Sequence, residues 1–504
     1  MNAPLRRVGV VVLVLFALLF INLNWVQAYK ANDYRTSRYN GRVQLTDYER
    51  QRGTIYDANG DALAVSVATN DQLKYLRTYP AGPAFEPILG YKPVNLGSTG
   101  VEDAMDVYLA GNASSDERIS DLFSDRRSPG DNVFLTLDKS VQTTAYNALK
   151  NNGSPGDVGA IVAMDPNTGK ILAMASSPSF TATNLASHKT STAAATYKRL
   201  NTDPDQPLLN RAISTTAPPG STFKVVVSAA ALASGRYTPD SVIPAGSSYQ
   251  PVKGSSYVMK NAEASTCPQS QITLIRALTV SCNTAFGQLG VAIGSQALTQ
   301  QAEAFGFGDD SLSIAGTGDR QLKVAASQIG DMTNAGQDDP NLVAQSSIGQ
   351  FDDRMTPLMG AMIASSVATG GTEMQPYIVD HVQSPDLRVT QIGSPEVYKH
   401  PMTAQVAAQM QQMMFSVVQS GTATSAQISG LQVAGKTGTA QNGNDANGQA
   451  LLDHRWFIGY AMKDGKPIAA VCVFLKNAGD EGRRSAPAIG GDVLQAAVNA
   501  LGGK

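Results

Sequence analysis

The sequence predicts an α/β (α+β) layer domain over residues 151–504. An extended N-terminal region, residues 30–150, precedes it, and residues 1–29 hold one apolar helix. Three observations carry this. Strand-like segments lie at both ends of the long C-terminal region with helical patterns between them, as when one sheet is assembled from both ends of a chain. An apolar run, Val8 to Ile21, follows Arg6 and Arg7. The 504 residues also exceed what one small core covers.

Leu23, Trp25 and Val26 extend the apolar run past Asn22 and Asn24. Its length approaches the ~20 residues a bilayer requires, and Trp25 and Tyr29 fall where the far interface would lie. Positive charge on the N-terminal side puts residue 1 inside and the chain beyond it outside. Val26-Gln27-Ala28 resembles a cleavage site, so a removed signal peptide competes with a retained anchor. Both readings export the body.

Within residues 30–150, Thr54-Ile55-Tyr56 reads as a strand and Asn59-Gly60 as a turn. Glu102 to Leu122 is a predicted helix and Ser124 to Gly130 a charged, breaker-containing linker. Val133 to Leu137 reads as a strand and Lys139 to Lys150 as a helix. The region has no cluster of acids or nucleophiles and reads as scaffold. Beyond it, Gly159 to Met164 and Lys170 to Ala175 are strands around the turn Asp165 to Gly169. Helical patterns fill much of 272–305 and 344–369. Leu431 to Ala434, Trp456 to Ala461 and Ile468 to Leu475 are strands, and Pro487 to Ala500 is a closing helix.

Composition excludes several functions. The net charge is −2 with no basic stripe, so nucleic acid is not an expected partner. His188, His381, His400 and His454 are scattered, and Cys267, Cys282 and Cys472 form no C-x-x-C. A structural metal site or a histidine-based triad therefore has little material.

Chemistry concentrates at Ala217 to Lys224. Two prolines and a glycine stop what precedes them, and Ser221 stands where a helix can begin. Phe223, Val226, Val227 and Ala230 then recur at helical spacing, with Val225, Ala229 and Ala231 filling the other faces, so the helix should be buried. Lys224 lies one turn beyond Ser221 on the same face. Burial lowers a lysine's pKa toward a value at which it accepts a proton, so the pair reads as a nucleophile with its base.

Alone, S-x-x-K is a pattern that ordinary capping also supplies. Ser281-Cys282-Asn283, between helical runs Ile272–Leu278 and Thr284–Ala292, can aim a hydroxyl and an amide into one cleft, or be a turn with its N-cap. Lys436, Thr437, Gly438 and Thr439 follow the predicted strand Leu431 to Ala434. There they could hold a substrate carboxylate, the glycine leaving room for a substrate backbone, or simply make a turn. Gly430 to Thr437 also matches the phosphate-binding pattern G-x-x-x-x-G-K-[ST]. That pattern requires a preceding strand and a helix from the lysine, whereas polar Gly421 to Ser425 precedes it and helix-breaking Gln441 to Asn444 follows.

The order S-x-x-K, S-x-N, K-T-G at 221, 281 and 436 resembles class B penicillin-binding proteins, nearest to their actinobacterial A type. The flanking Arg50–Gly60, Gly130–Asp138, Gly159–Ser179, Leu209–Ala212 and Trp456–Tyr460 extend the resemblance over nearly the whole chain. One departure, Cys282 as the middle residue of S-x-N, falls at a variable position. The resemblance implies a transpeptidase domain with a central antiparallel sheet and helices on both faces, standing on a pedestal behind a single-pass membrane anchor. It implies a penicillin-sensitive D,D-transpeptidase that cross-links peptidoglycan stem peptides without metal or cofactor.

By the same resemblance, Ser221 attacks the carbonyl between the terminal D-alanines and Lys224 takes its proton. Ser281 relays a proton to the leaving amine, and Asn283 holds Lys224 and the substrate amide. Lys436, Thr437, Gly438 and Thr439 bind the terminal carboxylate. Backbone N–H groups of Ser221 and Thr439 form an oxyanion hole, each donor worth roughly 3 kcal/mol. Expected partners are stem peptides, β-lactams as inhibitors, the membrane, a membrane glycosyltransferase and division proteins. Residues 30–150 are too few for a glycosyltransferase domain, and no wall-binding repeats are expected after the closing helix. A D,D-carboxypeptidase, or a non-catalytic β-lactam sensor or structural division factor, remains the alternative. Cys267 and Cys282 bracket a helix beside the S-x-N turn, so a bridge there would brace the site; two buried thiols are the other reading. Cys472 reads as a packing residue.

Overall fold

A computed structural model describes residues 2–30, 48, 50–94, 97–112, 128–151, 158–444, 448–479 and 484–502. Helix α1 spans Asn2–Asn24 and continues through Trp25–Tyr29. From Arg6 to Tyr29 its mean hydropathy reaches 2.4 with none of it buried, so it is long and apolar enough to cross a membrane.

The N-terminal sheet begins with β1 (Ile55–Tyr56) and β2 (Ala62–Ala68), joined through Asn59-Gly60. Asp57 Oδ1 accepts from the backbone N–H of Asn59 (2.9 Å) and Asp61 (2.7 Å), and Gly60 adopts φ +86°. β3 (Tyr75–Thr78) pairs with β2, and β4 (Asn132–Leu135) runs parallel to β1. Val379–Gln383 and Val389–Gln391 complete this sheet beyond β4, so the long C-terminal region returns to it.

The helix predicted from Glu102 is broken into two short turns, Gly100–Ala104 and Asp106–Leu109. Glu102 and Asp106 face inward: Arg52 bonds Glu102 (2.7 Å) and Asp106 (2.6 Å), and Arg77 bonds Glu102 (2.6 Å). A buried ion cluster therefore replaces the apolar stripe that would prolong a helix. Residues 113–122, and 124–127 of the predicted linker, lie outside the described residues.

Next come α2 (Lys139–Lys150), capped by Asp138, then β5 (Gly159–Met164) and β6 (Ile171–Ser177). The following chain is largely helical: α3 (Lys224–Ala233), α4 (Leu274–Thr279), α5 (Asn283–Ile293), α6 (Pro357–Ala368) and α7 (Ala404–Ser420). Strands β7 (Gln432–Ala440), β8 (His454–Lys463) and β9 (Lys466–Leu475) and helix α8 (Ala486–Gly502) follow.

The five-stranded sheet has the order β7-β8-β9-β5-β6, antiparallel throughout. Both ends of the C-terminal region thus build one sheet. α6 covers one face and α8 with α2 the other. A Cβ on Gly360 of α6 would sit 2.7 Å from Cys472 Sγ, and one on Gly490 of α8 would sit 2.4 Å from the Phe457 ring. Covered on both faces, β5 and β6 are buried at every position, which explains their unbroken apolar sequence. α6 is likewise buried at every residue. Of the predicted helical stretch 344–369, residues 348–355 are irregular, because Gly349 (φ +70°) turns the chain toward the segment before Ser221.

Candidate active site

Ser221 sits in a tight helical turn, Gly220–Phe223, and the regular helix starts only at Lys224. Pro218 and Pro219 deliver the chain, and neighbouring elements clamp the turn. Gly220 N donates to Gly349 O (2.9 Å), and Trp456 Nε1 on β8 donates to Pro218 O (2.9 Å). Gly220 has φ +54°, and a Cβ on it would lie 2.3 Å from Thr439 O, so only glycine lets β7 approach this closely. The Thr439 backbone thereby rests against the residue preceding Ser221.

Lys224 is fully buried. Its ammonium donates to Asn283 Oδ1 (2.7 Å), Ser281 O (2.9 Å) and Ser281 Oγ (3.2 Å), and lies 5.4 Å from the Phe286 ring centre. Lys436, equally buried, donates to Ser281 Oγ (3.0 Å) and Thr437 O (3.0 Å). S-x-x-K, S-x-N and K-T-G thus meet around one hydroxyl. Burial, and then the charge of Lys436, hold Lys224 well below the ordinary lysine range. Burial lowers Lys436 to about 7.

Ser281 occupies the left-handed region (φ +60°), uncommon for a residue with a side chain. Its turn is fixed on both sides. Cys282 N donates to Ala277 O (2.9 Å), and Asn283 Nδ2 to Lys260 O (3.0 Å). Cys282 forms a disulfide with Cys267, Cα–Cα 6.0 Å, which resolves the choice between bridge and free thiols. Asn283 opens α5. Cys472 is a free, buried thiol.

The K-T-G residues do not follow a strand; they are inside one. β7 runs unbroken from Gln432 to Ala440 in register with β8, and no helix starts at Lys436, so phosphate-loop geometry is absent from these described residues. The space a Gly438 side chain would take belongs to the protein itself: its Cβ would meet Pro219 O at 2.8 Å and Thr222 and Trp456 at 2.9 Å. Thr437 Oγ1 bonds Thr422 Oγ1 (2.6 Å), and the exposed Thr439 Oγ1 accepts from Arg455 Nη1 (2.5 Å).

Sequence reasoning passed over Gly349, Trp456 Nε1, Phe286 and Arg455. Of these only Gly349 leaves a local trace, a glycine interrupting a helical pattern. His454, near the end of β7, accepts from Asn477 N (3.1 Å), and burial pushes it down to about 4, so it is a neutral structural group.

Comparison with known proteins places this geometry. The family described as penicillin binding protein transpeptidase domain matches residues 159–495, and penicillin binding protein A dimerisation domain matches 52–133. The chain is 37% identical to a peptidoglycan D,D-transpeptidase PbpA of Mycolicibacterium smegmatis over 506 residues, covering 99% of each. It shares 37% identity with its Mycobacterium tuberculosis counterpart over 508 residues, again 99% of each. The crystal structure of penicillin-binding protein A from M. tuberculosis as a ceftriaxone acyl-enzyme superposes with a TM-score of 0.81 at 34% identity, covering 91% of this chain and 99% of that one.

Proposed function

The chain belongs to the penicillin-binding protein transpeptidase family, and from that premise we propose that it is a serine D,D-transpeptidase of peptidoglycan synthesis, acylated by stem peptides and by β-lactams. The observation that carries the residue assignment is the convergence of two buried lysines on Ser281 Oγ, at 3.2 Å and 3.0 Å. A hydroxyl accepting from both can turn its own proton outward, so Ser281 becomes a relay.

In this reading neutral Lys224 takes the proton as Ser221 Oγ attacks the penultimate D-alanine carbonyl. The oxyanion forms between the backbone N–H groups of Ser221 and Thr439. Collapse breaks the peptide bond, and the departing D-alanine amine gains its proton through Ser281. Asn283, bonded to Lys224, keeps that lysine aimed and faces the substrate amide. An acceptor amine then attacks the ester, and its proton returns through the same groups to Ser221. Thr437, Gly438 and Thr439 present the strand edge to the donor, and Lys436 supplies charge from behind it.

α1 fits a retained single-pass anchor, and Arg6 and Arg7 favour a cytoplasmic N-terminus with the catalytic domain outside. Residues 30–150, joined by the strands of 379–391, make the pedestal, and residues 151–504 the transpeptidase domain. Pedestal and anchor suit docking to a membrane glycosyltransferase in division and shape maintenance. Deleting residues 1–29 should release that docking while soluble acylation persists.

Labelling with a fluorescent penicillin, native protein against Ser221→Ala, tests the reading. Label confined to the native protein is expected. No label on folded native protein would overturn it, and label surviving in the variant would assign another nucleophile.

A further inference from the structure

The N-terminal region holds a pocket of about 360 Å³ with a cationic wall. Arg50, Arg52, Arg77 and Lys92 line it with Ser66 and Tyr75, and no described carboxylate does. Tyr75 and Arg77 lie two apart on β3 and so share a face, and Ser66 stands opposite Arg77 across the β2–β3 ladder. Part of this charge is already engaged. Arg52 bonds Glu102 and Asp106, and Arg50 donates to the Ala110 and Gly111 carbonyls. Arg77, only 2% exposed, gives Nε to Glu102 (2.6 Å) and Nη1 to Gly53 O (2.8 Å) and Ser66 Oγ (3.3 Å). Its Nη2 is buried and has no partner among the described residues. Lys92 Nζ lies 3.6 Å from Asp106, beyond hydrogen-bond reach. Arg52, Arg77 and Lys92 thus share Glu102 and Asp106, and Asp106 also pairs with Arg320 (2.9 Å), so the wall keeps a positive excess. A buried donor without an acceptor is costly, and an anion at this wall would supply one.

We propose that this pocket binds a tetrahedral oxyanion of the phosphate class. Because Nε and Nη1 of Arg77 are spent, its guanidinium presents one nitrogen and not the fork that suits a planar carboxylate. A tetrahedral group gives one oxygen to Arg77 Nη2, a second to Lys92 Nζ and a third to Ser66 Oγ. That hydroxyl accepts from Arg77 and so has its own proton to donate. Bound there, the anion joins β2 and β3 to the chain at Lys92 and stiffens the N-terminal region. The pocket's residues follow α1 in the chain, so its source is either free phosphate or the phosphate of a lipid headgroup. No catalytic residue takes part.

Full-length protein in detergent is titrated with inorganic phosphate at constant ionic strength, with chloride and acetate as controls, by calorimetry and by melting. A single phosphate per chain and a raised Tm are expected, with both controls about 10-fold weaker or more. Lys92→Met should weaken phosphate about 10- to 100-fold, the loss of a charged hydrogen bond, and Ser66→Ala about 3- to 10-fold. Arg77→Ala strips the buried Glu102 of a partner and is expected to misfold, so the other two variants carry the test. Penicillin labelling at the native rate checks that they fold. Dihexanoyl phosphatidic acid, set against dihexanoyl phosphatidylcholine, separates the sources. Competition of the acid with phosphate assigns the headgroup, and phosphate binding without that competition assigns the free ion. Binding of neither, acetate binding as tightly as phosphate, or phosphate affinity unchanged in both variants would overturn the proposal.

Discussion

Lys224 and Lys436, distant in sequence and both fully buried, donate to the same atom, Ser281 Oγ. Burial, and then the positive charge of Lys436, hold Lys224 well below the ordinary lysine range. Acylation should fail at low pH as Lys224 takes up a proton, and decline again as Lys436, lowered to about 7 by burial, loses its own. Replacing Lys436 with methionine removes a neighbouring positive charge that lowers Lys224. The acid limb of kcat/KM should therefore move to higher pH in that variant. A limb that stays put would show the two lysines to be uncoupled.

Gly438 should tolerate no side chain. Its Cβ would press on Pro219 O, a backbone atom, and on Thr222 and Trp456, so relief would have to displace the Ser221 turn. Gly438→Ala is expected to cost about 1–3 kcal/mol of stability and to slow penicillin labelling more than the melting shift explains. Normal labelling rates at a lowered Tm would confine the effect to packing.

The Cys267–Cys282 bridge closes a loop with a sequence separation of 15. Chain-entropy arguments put its contribution at about 3 kcal/mol. Because Ser281 adjoins it in a left-handed conformation, Cys267→Ser/Cys282→Ser should lose acylation at temperatures where the protein is still folded. Labelling identical to the native protein would make the bridge a stability element only.

Asp353 is fully buried, with Ser346 Oγ (2.9 Å and 3.0 Å) and Gly330 N (3.0 Å) donating to it, and burial raises its carboxyl to about 8. The folded state therefore holds a proton that the unfolded chain releases near the ordinary carboxyl value. The stabilisation is complete below that value and is lost as pH rises through about 8. Asp353→Asn should flatten the decline in stability across this window and melt higher than the native protein above it. Parallel pH–Tm curves for the two proteins would contradict the assignment.

How much of this was legible in the sequence depended on the range of the interactions. The helix from Lys139 to Lys150 and the strand from Gly159 to Met164 appear at their predicted bounds, because caps and apolar runs are local signals. The three motifs were legible because each is short and their order is specific. The run Val406, Ala407, Met410, Met413, Met414, Val417 was as periodic as any, and α7 was nevertheless passed over.

Other features had no local trace. Glu102 and Asp106 carry nothing that names Arg52 and Arg77 as partners, so the predicted long helix became two turns around a buried ion cluster. Gly438 looked like room for substrate until Pro219, Thr222 and Trp456 were seen to fill that room. The sequence by itself determined the apolar N-terminal helix, the sheet built from both ends, and which residue types could do chemistry, since hydrophobic period and motif spacing are properties of neighbours along the chain. The tertiary structure alone decided that both lysines face Ser281, that Cys267 meets Cys282, and that Arg455 stands beside Thr439. Those relations arise from strand register and helix packing between residues far apart in sequence, where burial and charge act through space.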